Sequence, residues 1–155
     1  MPGTSAKPLT RCLALLLVMM GSQYAAAELV LEGFWVRAMP PTQTMTAAYG
    51  RVTNGGSEAV RITGASADVA ADTSLHESRQ SGDQVRMVAM GEVQLAAGES
   101  LELAPGGAHL MLMGIATMPA PDSEVEICIH SGEDNSCVAA PVQRQAEPTG
   151  HHHHH

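Results

Sequence analysis

The chain has 155 residues, with 16 aspartates and glutamates against 8 lysines and arginines, a formal charge of −8. That length suits one domain, and that balance excludes the basic footprint which nucleic acids and anionic membrane surfaces require. Aromatic residues amount to 3%, too few for a base-stacking platform.

The first element is a leader rather than part of the fold. Lys7 and Arg11 precede an apolar run over 12–20, and the small-residue tract Ala25-Ala26-Ala27 comes after it. A short positive region, an apolar region and an A-x-A site make a secretory signal peptide, too short to span a membrane. Cleavage after Ala27 removes both early cations, so the remainder carries six arginines and no lysine, which excludes Schiff-base chemistry. Cys12 sits beside Arg11 at the very start of the apolar run, rather than after it, so no lipobox-like arrangement is expected. The product is expected to be soluble and exported, without membrane insertion.

Beyond the leader the chain reads as strands. Residues 29–36 form an apolar run stopped by Pro40-Pro41, and 46–53 end at the strong turn signal Asn54-Gly55-Gly56. Runs over 60–65 and 73–78 come next, with Ser81-Gly82-Asp83 as a turn. Residues 85–90 and 92–95 lead to Gly98, 100–103 lead to Pro105-Gly106-Gly107, and 110–115 are strongly apolar. Residues 124–130 and 136–142 flank the polar loop 131–135 in a hairpin-like arrangement. Residues 65–71 could hold one helical turn, but no amphipathic helix is evident. About eight to nine short strands, with turns roughly every 8–12 residues, predict an all-β Greek-key sandwich or barrel. The expected organisation is a leader over 1–27, one domain over 28–145 and a flexible His-rich tail over 146–155.

After cleavage the chain keeps seven methionines, and outside the tail three histidines, His76, His109 and His130. Methionine specifies the packing of a small β-core poorly, so its placement matters. In an extended strand residues i, i+2 and i+4 share a face, so His109, Met111 and Met113 present an imidazole and two thioethers together. His76 and Met87 lie on neighbouring predicted strands that could converge on them. Thioethers are soft neutral ligands suited to Cu(I) and poorly suited to Zn(II), Mg(II) or Ca(II). Met113 reads either as packing or as a ligand used during exchange, Met39 and Met45 as flanking a Pro-Pro loop that could rim the site, and Trp35 as core.

The order and spacing His76, ten residues, Met87, twenty-one residues, His109, one residue, Met111 resembles the H-x10-M-x21-H-x-M signature of the PCuAC copper chaperones. The segments Phe34-Trp35-Val36-Arg37-Ala38-Met39-Pro40-Pro41, Ala47-Ala48-Tyr49, Thr53-Asn54 and 105–114 are similar to that family too. The resemblance covers roughly 29–142 and implies a cupredoxin-like β-sandwich in the bacterial periplasm. It implies Cu(I) held by His76, Met87, His109 and Met111, and delivery towards the binuclear copper centre of cytochrome c oxidase. The implied partners are copper-donating or copper-accepting periplasmic proteins, the oxidase subunit or its assembly factors among them; a monomer with no enzymatic activity is expected. Glu77 departs from the pattern, standing where many members have methionine.

Cys128 and Cys137 straddle the last hairpin, and a disulfide is the default for such a pair in an exported protein. A thiol copper or redox site is the alternative. A blue-copper loop would need an axial Met after the Cys, and no Met follows Cys128, which opposes an electron-transfer cupredoxin. Copper storage or tolerance is a further alternative. His151, His152, His153, His154 and His155 read either as a native extension or as an added tag; imidazoles alone would suit Cu(II) there.

Overall fold

Alternation, and one interruption of it, decide the first strand. The structure, a computed structural model, describes Met1 and residues 29–144. The expected leader and the His-rich tail lie outside the described residues. β1 (Leu29–Arg37) runs antiparallel to β2 (Met45–Asn54), with Glu32 opposite Arg51 but Trp35 opposite Tyr49, so one extra residue lies on β1. Gly33, at φ 60°, occupies that bulge. Glycine takes a positive φ without steric penalty, and a bulge shifts every later side chain to the other face. Phe34 therefore turns into the core, while Trp35 turns outward onto Tyr49 with ring centroids 4.7 Å apart. Trp35 is buried as expected, at 8% exposure, though it packs on Tyr49 beside the apolar cluster rather than within it.

The remaining strands are β3 (Val60–Ile62), β4 (Gly64–Ala67), β5 (Asp72–Ser81), β6 (Gln84–Ala89), β7 (Val93–Leu95), β8 (Ser100–Leu103), β9 (Ala108–Met113), β10 (Glu124–Ser131) and β11 (Asp134–Gln143). Along the main hydrogen-bonded path the order is β4-β10-β11-β1-β2-β9-β5-β6, with β8 also on β2, and β3 pairs β7 separately. The β1–β11 pair is parallel and the other ladders antiparallel. β4 and β5, far apart along this path, nevertheless pack together, which curls the sheet over its own core.

The fold is all-β as expected, with eleven strands rather than eight to nine. The difference has local causes. The run over 60–65 breaks at Thr63, whose N–H is donated to the His130 carbonyl at 2.9 Å, so it yields β3 and β4 in different sheets. The possible helical turn over 65–71 is instead the end of β4 and a turn. Among the described residues no helix is long and apolar enough to cross a membrane.

The core is aliphatic, with Val36, Val52, Leu110, Leu112, Val125, Ile127 and Val142 fully buried. Buried Asn54 is satisfied throughout: its Nδ2 donates to the carbonyls of Glu58, Leu95 and Ala96, and its Oδ1 accepts from Gly56 N–H at 3.0 Å. Buried amides are tolerated only when so paired, and here the pairing ties the end of β2 to the turn before β8. Gly50 lets Phe34 approach; a Cβ there would stand 2.5 Å from the ring.

Candidate metal centre

The two faces of β9 differ in kind. Leu110 and Leu112 point into the core with no exposure, while His109, Met111 and Met113 alternate with them on the outer face. Their cross-strand neighbours share that face. His76 of β5 lies opposite His109, and Ser74 lies opposite Met111. On β2, Ala47 lies opposite Met111 and Met45 opposite Met113. On β6, Ala89 lies opposite His76, and Met87 lies opposite Ser78, which makes Met87 the diagonal neighbour of His76. The sheet thus places His76, Met87, His109 and Met111 on one surface although 35 positions separate the first from the last.

The imidazoles are held from behind. His109 is 3% exposed, and its Nδ1 lies 3.0 Å from the Gly107 carbonyl. A carbonyl can only accept, so Nδ1 carries the proton and Nε2 keeps its lone pair. The same carbonyl accepts the Ser78 N–H at 3.1 Å. The 104–108 turn that presents it is closed by Ala104 and Ala108, with Gly106 at φ 84°. His76 Nε2 lies 3.1 Å from Ser74 Oγ, and the hydroxyl can accept from it, leaving Nδ1 as the free acceptor.

Two ring nitrogens, His76 Nδ1 and His109 Nε2, are buried and have no hydrogen-bond partner. Unpaired buried polar atoms are costly, and two on facing residues mark a place built for something that accepts lone pairs. The ring centroids are 6.2 Å apart. A metal–imidazole bond of about 2.0 Å, added to about 1.1 Å from nitrogen to centroid, lets one ion reach both rings. Among the described residues no three His, Cys, Asp or Glu side chains gather into a metal-holding group; the donors here are two imidazoles with thioethers beside them. Such a set suits a soft, low-charge cation.

Met87 is 59% exposed and sits on an edge strand with all six residues exposed, so this side of the face is open to solvent. Glu77, adjacent to His76, points the other way in the strand, and Arg79 Nε donates to its carboxylate at 2.7 Å. Its carboxylate is therefore occupied away from the imidazoles. Met113 shares the outer face and is half-buried. Met39 is partly buried against the core rather than at the rim, whereas Met45 is 45% exposed.

An aromatic wall, absent from the sequence-based expectations, flanks the imidazoles. Tyr49 lies beside His109, centroids 6.3 Å apart, with Trp35 on its other side and the Arg37 guanidinium 5.3 Å from its ring centre. Burial pushes the Tyr49 phenol above its ordinary pKa, against the opposing pull of the Arg37 charge, so it stays a neutral wall at physiological pH. The signal for it is Gly33, a glycine inside an apolar run, which marks a bulge.

Elsewhere, Cys128 and Cys137 are directly opposite across β10–β11 and joined by a disulfide. No thiolate is available from them. His130 is on β10, where its Nδ1 pairs with Asn135 Oδ1, and it does not join the other two histidines. His151 to His155 lie outside the described residues.

The surroundings of this face can be set against known proteins. The copper-bound PCuAC domain from PmoF2 superposes with a TM-score of 0.62 at 20% identity, covering 79% of this chain and 97% of that domain. Apo-DR1885 from Deinococcus radiodurans superposes at 0.58 with 26% identity, covering 94% of this chain and 92% of that one. Its CuI form matches at 0.53 with 27% identity, covering 83% and 85%. The fold is accordingly the expected cupredoxin-like sandwich. Among curated proteins, "Putative lipoprotein Lxx21020" of Leifsonia xyli subsp. xyli (strain CTCB07) is 35% identical over 111 residues, 70% of this chain. The chain spans 66% of the length of that relative. With residues 29–142 matched by the family model described as "Putative lipoprotein LpqE-like", the chain belongs to the LpqE-like family.

Proposed function

We propose that this protein is an exported copper chaperone that carries Cu(I) on His76, Met87, His109 and Met111 and passes it to an acceptor by ligand exchange. The observation that carries this reading is the pair of buried, unpartnered nitrogens on opposed His76 and His109, with Met111 and Met87 on the same face. The likeness to a copper-bound PCuAC domain and to CuI-DR1885 supports it, as does the spacing of the four residues.

The chain's own groups do three things in this scheme. The Gly107 carbonyl holds the His109 proton on Nδ1 and so aims a neutral Nε2 at the ion. Tyr49, backed by Trp35, closes the side of His109 away from His76. Exposed Met87 leaves the other side open, so a partner's ligands can enter before the last thioether departs. A closed cage would bind as well and release slowly. The ion is cargo, and no bond of a substrate is made or broken, so the protein acts as a carrier rather than an enzyme.

Delivery towards the binuclear copper centre of cytochrome c oxidase is the direction the PCuAC resemblance favours. The leader over 1–27 supports export to the periplasm, the region over 28–145 acts as one monomeric domain, and the histidine tail over 146–155 takes Cu(II). An electron-transfer role is opposed by the disulfide, which leaves neither cysteine free to ligate.

The test is Cu(I) stoichiometry and affinity against a competing chelator, with X-ray absorption on the loaded protein. One Cu(I) per domain with mixed sulfur and nitrogen scattering is expected. His109→Ala should weaken binding by more than ~100-fold, beyond what loss of a supporting contact costs. Unchanged affinity in His109→Ala would overturn the proposal.

A further inference from the structure

The outer face holds more thioethers than one copper ion can use. Met45 on β2 lies directly opposite Met113 on β9, and Met111 stands two residues from Met113 on the same face. Directly opposed antiparallel residues have Cβ atoms about 4.5–5.5 Å apart, within which two flexible methionine side chains can bring their sulfurs onto one ion. On the other flank of β9, Met113 lies opposite Asp72, an exposed carboxylate.

Packing does not explain these methionines. Met45 is 45% exposed and Met113 half-buried, and neither belongs to the buried apolar cluster. Met45 and Met87 are among the few large apolar side chains left exposed in the described residues, and they stand at opposite ends of the row that contains the two imidazoles. The neighbours opposite Met111 are Ala47 and Ser74, which are small and leave its thioether unobstructed.

We propose that Met45 and Met113 form a second, weaker soft-metal station, linked through Met111 to the histidine site, so that a monovalent ion can move along the outer face. This inference rests on the Cu(I) reading above for the identity of the cargo. The station has two neutral sulfur donors and a carboxylate whose charge attracts a cation. Lacking an imidazole, it holds the ion less tightly than the site beside it. The ion changes ligands one at a time, Met45 and Met113 giving way to Met111 and then to the imidazoles. No electron or proton is transferred.

The test uses Ag(I), a closed-shell soft ion, titrated into the full chain carrying methyl-labelled methionine and followed by NMR. The first equivalent should move the Met87 and Met111 methyl signals. Further Ag(I) should move those of Met45 and Met113 together, at least ~10-fold more weakly. A Met45→Leu/Met113→Leu variant should bind one Ag(I) fewer than the parent, with the histidine tail present in both. The inference is overturned if the Met45 and Met113 signals stay still, or if the double variant binds as much Ag(I) as the parent. In His109→Ala the first-equivalent response should collapse while Met45 and Met113 still respond. Persistence of that first response would instead count against the chaperone site and leave the Met45 and Met113 signals to be judged on their own.

Discussion

The hairpins β5–β6 and β10–β11 resemble each other in length and differ in everything that fixes them. β10 lies between β4 and β11, β11 is also paired with β1, and a disulfide joins Cys128 to Cys137 across them. Val125, Ile127 and Ile129 alternate into the core with almost no exposure. β6 pairs with β5 alone, and all six of its residues are exposed. The candidate centre is divided between such regimes: His109 and Met111 stand on an inner strand, whereas Met87 stands on the unsupported arm. Rigidity belongs where the imidazoles must be aimed, and freedom belongs where a ligand must let go.

The widest gap should appear in amide hydrogen exchange. Local opening of β6 should cost far less than the global unfolding free energy that governs β10, giving protection factors that differ by at least ~10^3. Comparable protection in both would refute the contrast. Ile127→Ala, in the core-facing row of β10, should destabilise by about 2–5 kcal/mol in denaturant unfolding. Replacing both cysteines by serine should cost roughly 2–3 kcal/mol through loop entropy, with Cu(I) affinity unchanged, since the hairpin bears none of the proposed ligands. Copper loss in that variant would reassign the cysteines. Smallest in stability is Met87→Leu, within about 0.5 kcal/mol because the site is exposed. The same change should weaken Cu(I) binding by ~10-fold or more, and a match to the parent's affinity would remove Met87 from the site.

Whether a feature is legible in the sequence depends on what sets it. The outer placement of His109, Met111 and Met113 is a consequence of strand period alone, so it can be read directly. The turn signals at Asn54-Gly55-Gly56 and Pro105-Gly106-Gly107 likewise act locally. That His76 stands opposite His109 depends on the register of β5 on β9, and the spacing resemblance, not the strand pattern, points to their meeting. Met45 opposite Met113 depends on β2 lying beside β9, a neighbour far along the chain, and nothing local announces it. The division of 60–67 into two strands is set by the Thr63–His130 backbone bond, again a long-range event. That Trp35 is buried can be read from its chemistry, but strict alternation carried across Gly33 would put the indole on the other face of β1.

That glycine makes the wall of the centre a matter of counting. Phe34 and Trp35 are both large aromatics, and what assigns one to the interior and the other to the imidazole side is the number of residues before them, not their chemistry. Replacing Gly33 by valine, which resists a positive φ, would favour a ladder without the bulge that keeps every later side chain of β1 and exchanges their addresses, bringing Phe34 opposite Tyr49 and driving the larger indole inward opposite Ala48. As the chain's single tryptophan, Trp35 would register the exchange in its own fluorescence, by losing any change caused by copper arriving beyond Tyr49. A single substitution distant in sequence from every proposed ligand would therefore alter the site more than many made within it.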